Sequence, residues 1–171
     1  AVAQEGGWGG GGGVRGVAGK PKGGVDAFLD DFYDEGVAPD VGEQARQAMD
    51  TWHEQGVTVI CVAATFEPII ERAMRDLPFD YQISTRMKVN YDGTYACEVD
   101  GVPVEGDRKM IELRRFANAT WGEGGWELAA SYGDHHSDRA LLAGAKQVFA
   151  VCPAPPPGRT PRERGTPLPE C

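Results

Sequence analysis

Leu128-Ala129-Ala130-Ser131-Tyr132-Gly133-Asp134-His135-His136-Ser137-Asp138 is the stretch on which the fold of this chain turns. A short apolar run ends in glycine, and two carboxylates follow, four residues apart. A strand that closes in such a turn sets acidic oxygens at the carboxyl edge of a parallel sheet, where ligands of open α/β folds collect. Hard divalent cations prefer oxygen donors of this kind. The stretch therefore suggests a metal-assisted reaction, while nothing upstream supplies the partner carboxylates that such chemistry needs.

Working outward, the flanking segments alternate between helical and strand periodicity. Val25, Phe28, Leu29, Phe32 and Tyr33 recur at helical spacing, with Asp26, Asp30, Asp31 and Asp34 opposite as a solvated face rather than a metal cluster. Asp40 and Glu43 have capping-box spacing before a helix that buries Ala45, Ala48, Met49 and Trp52 and stops at Gly56. Residues 57–62 form a β-branched run suited to a strand covered on both faces. A helix over 67–77 turns Ile69, Ile70, Ala73, Met74 and Leu77 inward. Strands at 81–90 and 94–98 meet at Asp92-Gly93, a hairpin signal. A helix over 106–116 with Met110, Ile111, Leu113 and Phe116, a strand at 127–132, a helix at 138–144 and a strand at 147–151 complete the series. This order predicts an α/β fold: a three-layer, Rossmann-like, mostly parallel sheet with helices on both faces, plus a small hairpin.

The two ends differ from this pattern. Residues 1–24 are dominated by glycine and bury too little to offset their ordering entropy, so a disordered or extended arm is expected. No Gly-Lys-Ser/Thr sequence marks those glycines as a phosphate loop. From Pro153 onward, proline recurs too often for regular helix or central strand.

Composition narrows the function. The 171 residues carry a net charge of −9, and 41% are apolar, enough for one domain with a core. Acidic balance of this size argues against nucleic acid and against an anionic membrane surface. No apolar run is long enough to span a bilayer. Cys61, Cys97, Cys152 and Cys171 have no paired spacing, so no disulfide framework is expected and a cytoplasmic location fits better.

Four pieces then line up in chain order: Ile60-Cys61-Val62-Ala63-Ala64-Thr65-Phe66, the hairpin with Thr85-Arg86-Met87-Lys88-Val89 and Asp92-Gly93, Gly106-Asp107-Arg108-Lys109-Met110, and the acidic turn. Together they resemble the haloacid dehalogenase superfamily, in its phosphoserine phosphatase-like branch. The tail, with Val151-Cys152-Pro153 and Arg164-Gly165-Thr166-Pro167, is similar to the ending of that branch. The resemblance covers roughly residues 25–170. It implies a magnesium-dependent hydrolase of a small phosphorylated metabolite, working through an aspartyl-phosphate. Asp134 would hold Mg²⁺, with Asp138 as a second ligand or support, and Lys109 would neutralise charge at the reacting phosphoryl group. Substrate contacts would fall at Ala63, Ala64, His135 and Arg86, and Thr65 would replace the hydroxyl that the family places where Ala63 stands. Residues 25–39 would be the remnant of a substrate-selecting cap, 40–152 the core and 153–171 a tail.

The family's nucleophile and general acid lie in an Asp-x-Asp motif ending a central strand, and no Asp-x-Asp occurs in these residues. Little or no turnover is therefore expected, from either a truncated or a degenerate homologue. Without that strand, an apolar slot bounded by unpaired backbone should separate the strands at 57–62 and 127–132. The alternatives are a non-catalytic metal- or phosphate-binding domain on the same fold, and an interaction module acting through the two tails.

Overall fold

The computed structural model describes residues 16–133 and 138–150. In chain order its elements are α1 (Lys22–Gly36), a 3₁₀ turn (Ala38–Asp40), α2 (Glu43–Glu54), β1 (Ile60–Phe66), α3 (Glu67–Ala73), β2 (Tyr81–Thr85), β3 (Met87–Val89), β4 (Tyr95–Val99), α4 (Asp107–Trp121), β5 (Ala130–Gly133), α5 (Arg139–Gly144) and β6 (Gln147–Ala150). Strands joined through helices give parallel pairs, as right-handed α/β crossovers require. β1 pairs with β2, in register at Ile60 with Tyr81 and Val62 with Ile83. β5 pairs with β6, from Ala130 with Gln147 to Gly133 with Ala150. The hairpin β3–β4 is antiparallel.

The helices bury most of the stripes that their periodicity marks, with exceptions in α1 and α4: Val25, Leu29 and Tyr33 are buried whereas Phe28 is 57% exposed, and Met110 and Leu113 are buried whereas Ile111 is 50% exposed. Helix α1 opens at Lys22, three residues before the apolar pattern begins, because the preceding turn is fixed by the hairpin. Gly19 N–H donates to the Tyr95 carbonyl, and Pro21 bridges Thr94. The Tyr95 hydroxyl donates to Asp26 at 2.6 Å, and two of the other three aspartates of α1 meet arginines of the α3 region: Asp34 with Arg72, Asp30 with Arg75. That face is an ion-paired surface, as the solvated-face reading expects.

Several boundaries move for local hydrogen-bonding reasons. The cap position of α2 falls on Gly42, which has no side chain to bond, and Asp40 lies in the preceding 3₁₀ turn. At the other end Gly56, at φ 72°, donates to the His53 carbonyl, and Val57 N–H donates to the Trp52 carbonyl. This doubly bonded glycine stop occupies Val57, while Val59 N–H is taken by the Asp80 carboxylate at 2.7 Å. The strand consequently starts at Ile60 and continues to Phe66, later at both ends than the expected 57–62. The expected single strand at 81–90 is two: β2 stays in the parallel ladder, then the chain changes partner at Arg86. There Thr85 Oγ1 accepts the Val104 N–H, and the Arg86 carbonyl accepts Asp100 N–H. Helix α4 runs to Trp121, five residues past the expected 116, and stops where Gly122 takes φ 83°.

Among the described residues the strands form three separate two-stranded ladders, and none joins β1 to β5. A cavity of about 240 Å³ lies between the segment that leads into β1 and the segment that leads into and includes β5. Ala48, Met49 and Trp52 of α2 line it, as do Leu113, Ala117 and Trp121 of α4. Val57, Thr58, Val59 and Ile60 form one lateral wall, and Leu128, Ala129, Ala130 and Tyr132 the other.

Candidate active site

Lys109 lies in the first turn of α4, where an ordinary helix lysine would reach into water. Instead Gly106, at φ 53°, reverses the chain into the helix, and the lysine side chain is only 1% exposed. Its Nζ donates to Asp138 Oδ1 at 2.5 Å, and Asp138 is wholly buried. A buried ion pair is costly to desolvate and persists only with good geometry. Asp138 stands at the N-terminal cap of α5, yet its side chain caps no backbone N–H there. The carboxylate is committed to the ammonium instead, which rules out the plain capping role that a turn aspartate commonly plays.

Gly133, the last residue of β5, makes this approach possible. A Cβ built there would lie 2.8 Å from Asp138 Cβ and 2.9 Å from its Oδ2. Only a residue without a side chain lets the start of α5 pack so tightly on the strand end. Behind it, Leu141 is fully buried with Leu113, Met110 and Val62, fixing α5 against α4 and β1. The Tyr132 hydroxyl accepts a 2.9 Å hydrogen bond from Trp52 Nε1, tying β5 to α2 on the far side of the cavity.

Two buried oxygens near this strand end have no hydrogen-bond partner among the described residues: Asp138 Oδ2 and Ser131 Oγ. A buried carboxylate oxygen without a donor is expensive, and it is the kind of atom that a hard cation satisfies. Asp138 thus fits as a magnesium ligand or as direct support for one. Among the described residues no cluster of three or more His, Cys, Asp or Glu side chains forms a metal site by itself. Mg²⁺ does not need such a cage, since it usually keeps several waters and binds one or two carboxylates plus substrate phosphate.

Of the residues singled out from sequence, the structure brings Lys109 and Asp138 together. Asp134 and His135 lie outside the described residues. Ala63 is buried, and Ala64 and Thr65 are partly buried within β1 rather than in a loop beyond it, because the strand runs on to Phe66. Arg86 is exposed and its Nε pairs with Glu67 Oε1 at 3.0 Å, so it is held at the start of α3. Burial pushes the Cys61 thiol up to about 12, against the opposing pull of the Lys109 charge. A thiol protonated at neutral pH is no nucleophile, so Cys61 does not replace the absent aspartate. From sequence Gly133 marks only the end of the apolar run and Ser131 has no role; their significance is a matter of packing distance and hydrogen-bond satisfaction. The Trp52–Tyr132 bond spans 80 positions and left no local signal.

This arrangement has relatives. A phosphoserine phosphatase of Lactococcus lactis subsp. lactis (strain IL1403) is 28% identical over 130 residues, covering 75% of this chain and 56% of that protein. The chain therefore spans about half the length of that relative. Among solved structures, a protein of unknown function from Bordetella pertussis Tohama I superposes with a TM-score of 0.74 at 20% identity, over 83% of this chain and 64% of that one. A phospho-aspartyl intermediate analogue of phosphoserine phosphatase superposes with a TM-score of 0.60 at 21% identity, over 80% and 61% of the two chains. These superpositions bear out the α/β fold with its parallel strands. The model of the haloacid dehalogenase-like hydrolases matches residues 15–143, most of the chain and all of the buried pair's setting, and the chain belongs to that family.

Proposed function

We propose that residues 16–150 form the phosphoryl-binding core of a magnesium-dependent phosphomonoester hydrolase whose substrate is a small phosphorylated metabolite. The observation that carries this reading is the buried Lys109 ammonium held on Asp138 at the carboxyl end of β5. Phosphoryl transfer is catalysed mostly by positioning and by neutralising charge. Lys109 has donors to spare beyond the one given to Asp138, and a phosphoryl oxygen is a natural acceptor. Asp138 holds that amine in place, and its unpartnered Oδ2, with Asp134, would hold Mg²⁺. The cation would supply further neutralisation of phosphoryl charge. Ala63 and Ala64 of β1 would contact the phosphate by resemblance to the family, with Thr65 the nearest hydroxyl in sequence.

The 171 residues contain no Asp-x-Asp, and Cys61 is unsuited to attack, so binding without appreciable turnover is the behaviour expected of these residues alone. The same observation favours a second reading, a non-catalytic magnesium and phosphate binder. Calorimetric titration with inorganic phosphate in the presence of Mg²⁺, beside an aryl phosphate hydrolysis assay, separates the possibilities. Phosphate binding that disappears in Lys109→Met, with hydrolysis at background, is the expected result. Absence of phosphate binding, or binding indifferent to Lys109→Met, would sink the proposed site. Hydrolysis at an enzymatic rate would overturn only the expectation of no turnover. Binding of a protein partner that survives changes at Asp134 and Lys109 would favour the interaction module.

A further inference from the structure

Ser131 is buried as completely as Asp138, and the phosphoryl site as described gives it no task. Its Oγ has no hydrogen-bond partner among the described residues, an expensive state for a buried hydroxyl. β5 keeps an unbroken register with β6 from Ala130 to Gly133, so Ser131 and Gly133 share one face of the strand. Asp138 packs on that face, since a Cβ at Gly133 would stand 2.9 Å from Asp138 Oδ2. Alternate residues of a strand lie roughly 6.6 Å apart, a span that one water and its two hydrogen bonds nearly cover. The two orphaned oxygens are also complementary, because a hydroxyl donates and a carboxylate oxygen only accepts. The Lys109 ammonium beside them gives one proton to Asp138 Oδ1 and has others to offer. Together these groups provide the two to four polar partners that an internal water takes.

We propose that Ser131 is a positioning residue of the phosphoryl site: through one internal water its hydroxyl holds Asp138 Oδ2, and so fixes the carboxylate on which Lys109 rests. The purpose of this relay rests on the phosphatase reading, whereas its geometry does not. A carboxylate oxygen has more than one lone pair, so the water leaves Asp138 free to meet a cation as well. Outer partners of this kind orient the groups that touch the ligand. The competing role for Ser131 is steric, a side chain small enough for a crowded strand end. Alanine separates the two roles, because it deletes the hydroxyl without adding volume.

The experiment compares the full chain with Ser131→Ala. Magnetic relaxation dispersion of water oxygen reports long-lived internal waters, and nitrogen spectra report the Lys109 ammonium. The expected result is the loss of one long-lived water and a shifted Lys109 Nζ signal. Binding of inorganic phosphate in the presence of Mg²⁺ should weaken about tenfold, the low end for losing an outer partner. The denaturant midpoint should fall, whereas deleting a hydroxyl that truly lacks a partner would raise it. Identical dispersion in the two proteins, or a raised midpoint, would overturn the proposal. So would loss of the water with the Lys109 signal and phosphate affinity unchanged, which would make the water purely structural. If the native chain binds no phosphate, the phosphatase reading fails, and the Lys109 signal alone decides: a shift in Ser131→Ala upholds the relay, and none refutes it. Should Ser131→Ala not fold, Ser131→Cys, a weak donor, takes its place with the same readouts.

Discussion

The two parallel ladders of this molecule are built alike and held differently. β1 carries four buried residues out of seven and shares core clusters with α2, α3 and α4, so it lies inside the domain, while its partner β2 buries only Thr85. β5 and β6 are four residues each, and Val148 and Phe149 of β6 are 54% and 39% exposed. The β1–β2 ladder is anchored through β1, by apolar burial on both of its faces. The β5–β6 ladder is anchored by the Leu141 side of α5 and by two polar tethers, Lys109–Asp138 and Trp52–Tyr132. The candidate site therefore sits on the less buried half, and its geometry depends on a few specific contacts. Burial at roughly 25 cal/mol per Å² tolerates small shifts; a buried ion pair does not.

Breaking the ion pair should give the largest effect. Lys109→Met leaves the Asp138 carboxylate buried without its cation and should cost about 3–5 kcal/mol, read as a lowered denaturant midpoint. Replacing both partners with apolar residues should recover much of that loss while phosphate binding stays absent. A double variant no more stable than Lys109→Met would mean that the pair contributes little to folding. Gly133→Ala comes next. Its methyl meets Asp138 at 2.8–2.9 Å, and the needed shift should cost about 1–3 kcal/mol. If the site depends on that contact, magnesium or phosphate affinity falls along with stability, and an unaltered affinity would show that the approach is incidental.

Trp52→Phe tests the second tether. It removes the donor to the Tyr132 hydroxyl and should cost about 1 kcal/mol, with faster exchange in β5 and unchanged exchange in β2. Equal effects in both ladders would erase the distinction between them. The smallest effect concerns the buried half. Burial tends to raise the Asp80 carboxyl, but the Val59 N–H and His53 outweigh it and leave its pKa below the usual 3.8. A depressed carboxylate stabilises the fold above its unfolded value, and the contribution is lost as pH falls through the lower folded one. The native chain should therefore lose stability more steeply below about pH 3.8 than Asp80→Asn. Parallel acid profiles would show that the contact is not maintained in solution.

Much of the architecture was legible because it rests on local rules. The stripe of Val25, Leu29 and Tyr33, the glycine stop at Gly56, and the strand-to-acid transition at Gly133 all follow from spacing within a few residues. The hairpin at Asp92-Gly93 was equally plain: Thr94 N–H and hydroxyl both donate to Asp92 Oδ1, locking the turn. The errors lie where distant groups compete for the backbone. Asp80, 21 positions away, takes the Val59 N–H and delays β1. Thr85 takes the Val104 N–H and helps divide a run that looked continuous.

By itself, then, the sequence determined the alternation of helices and strands, the acidic character of the turn and the absence of an Asp-x-Asp pair, since each is written in neighbouring residues. Only the tertiary structure decided that Lys109 is buried rather than solvated, that it meets Asp138 across 29 positions, and that a cavity lies between the segments leading into β1 and β5. The physical reason is that burial and pairing belong to surfaces assembled from remote segments. No local pattern records which of two apolar or charged partners the folded chain will bring together.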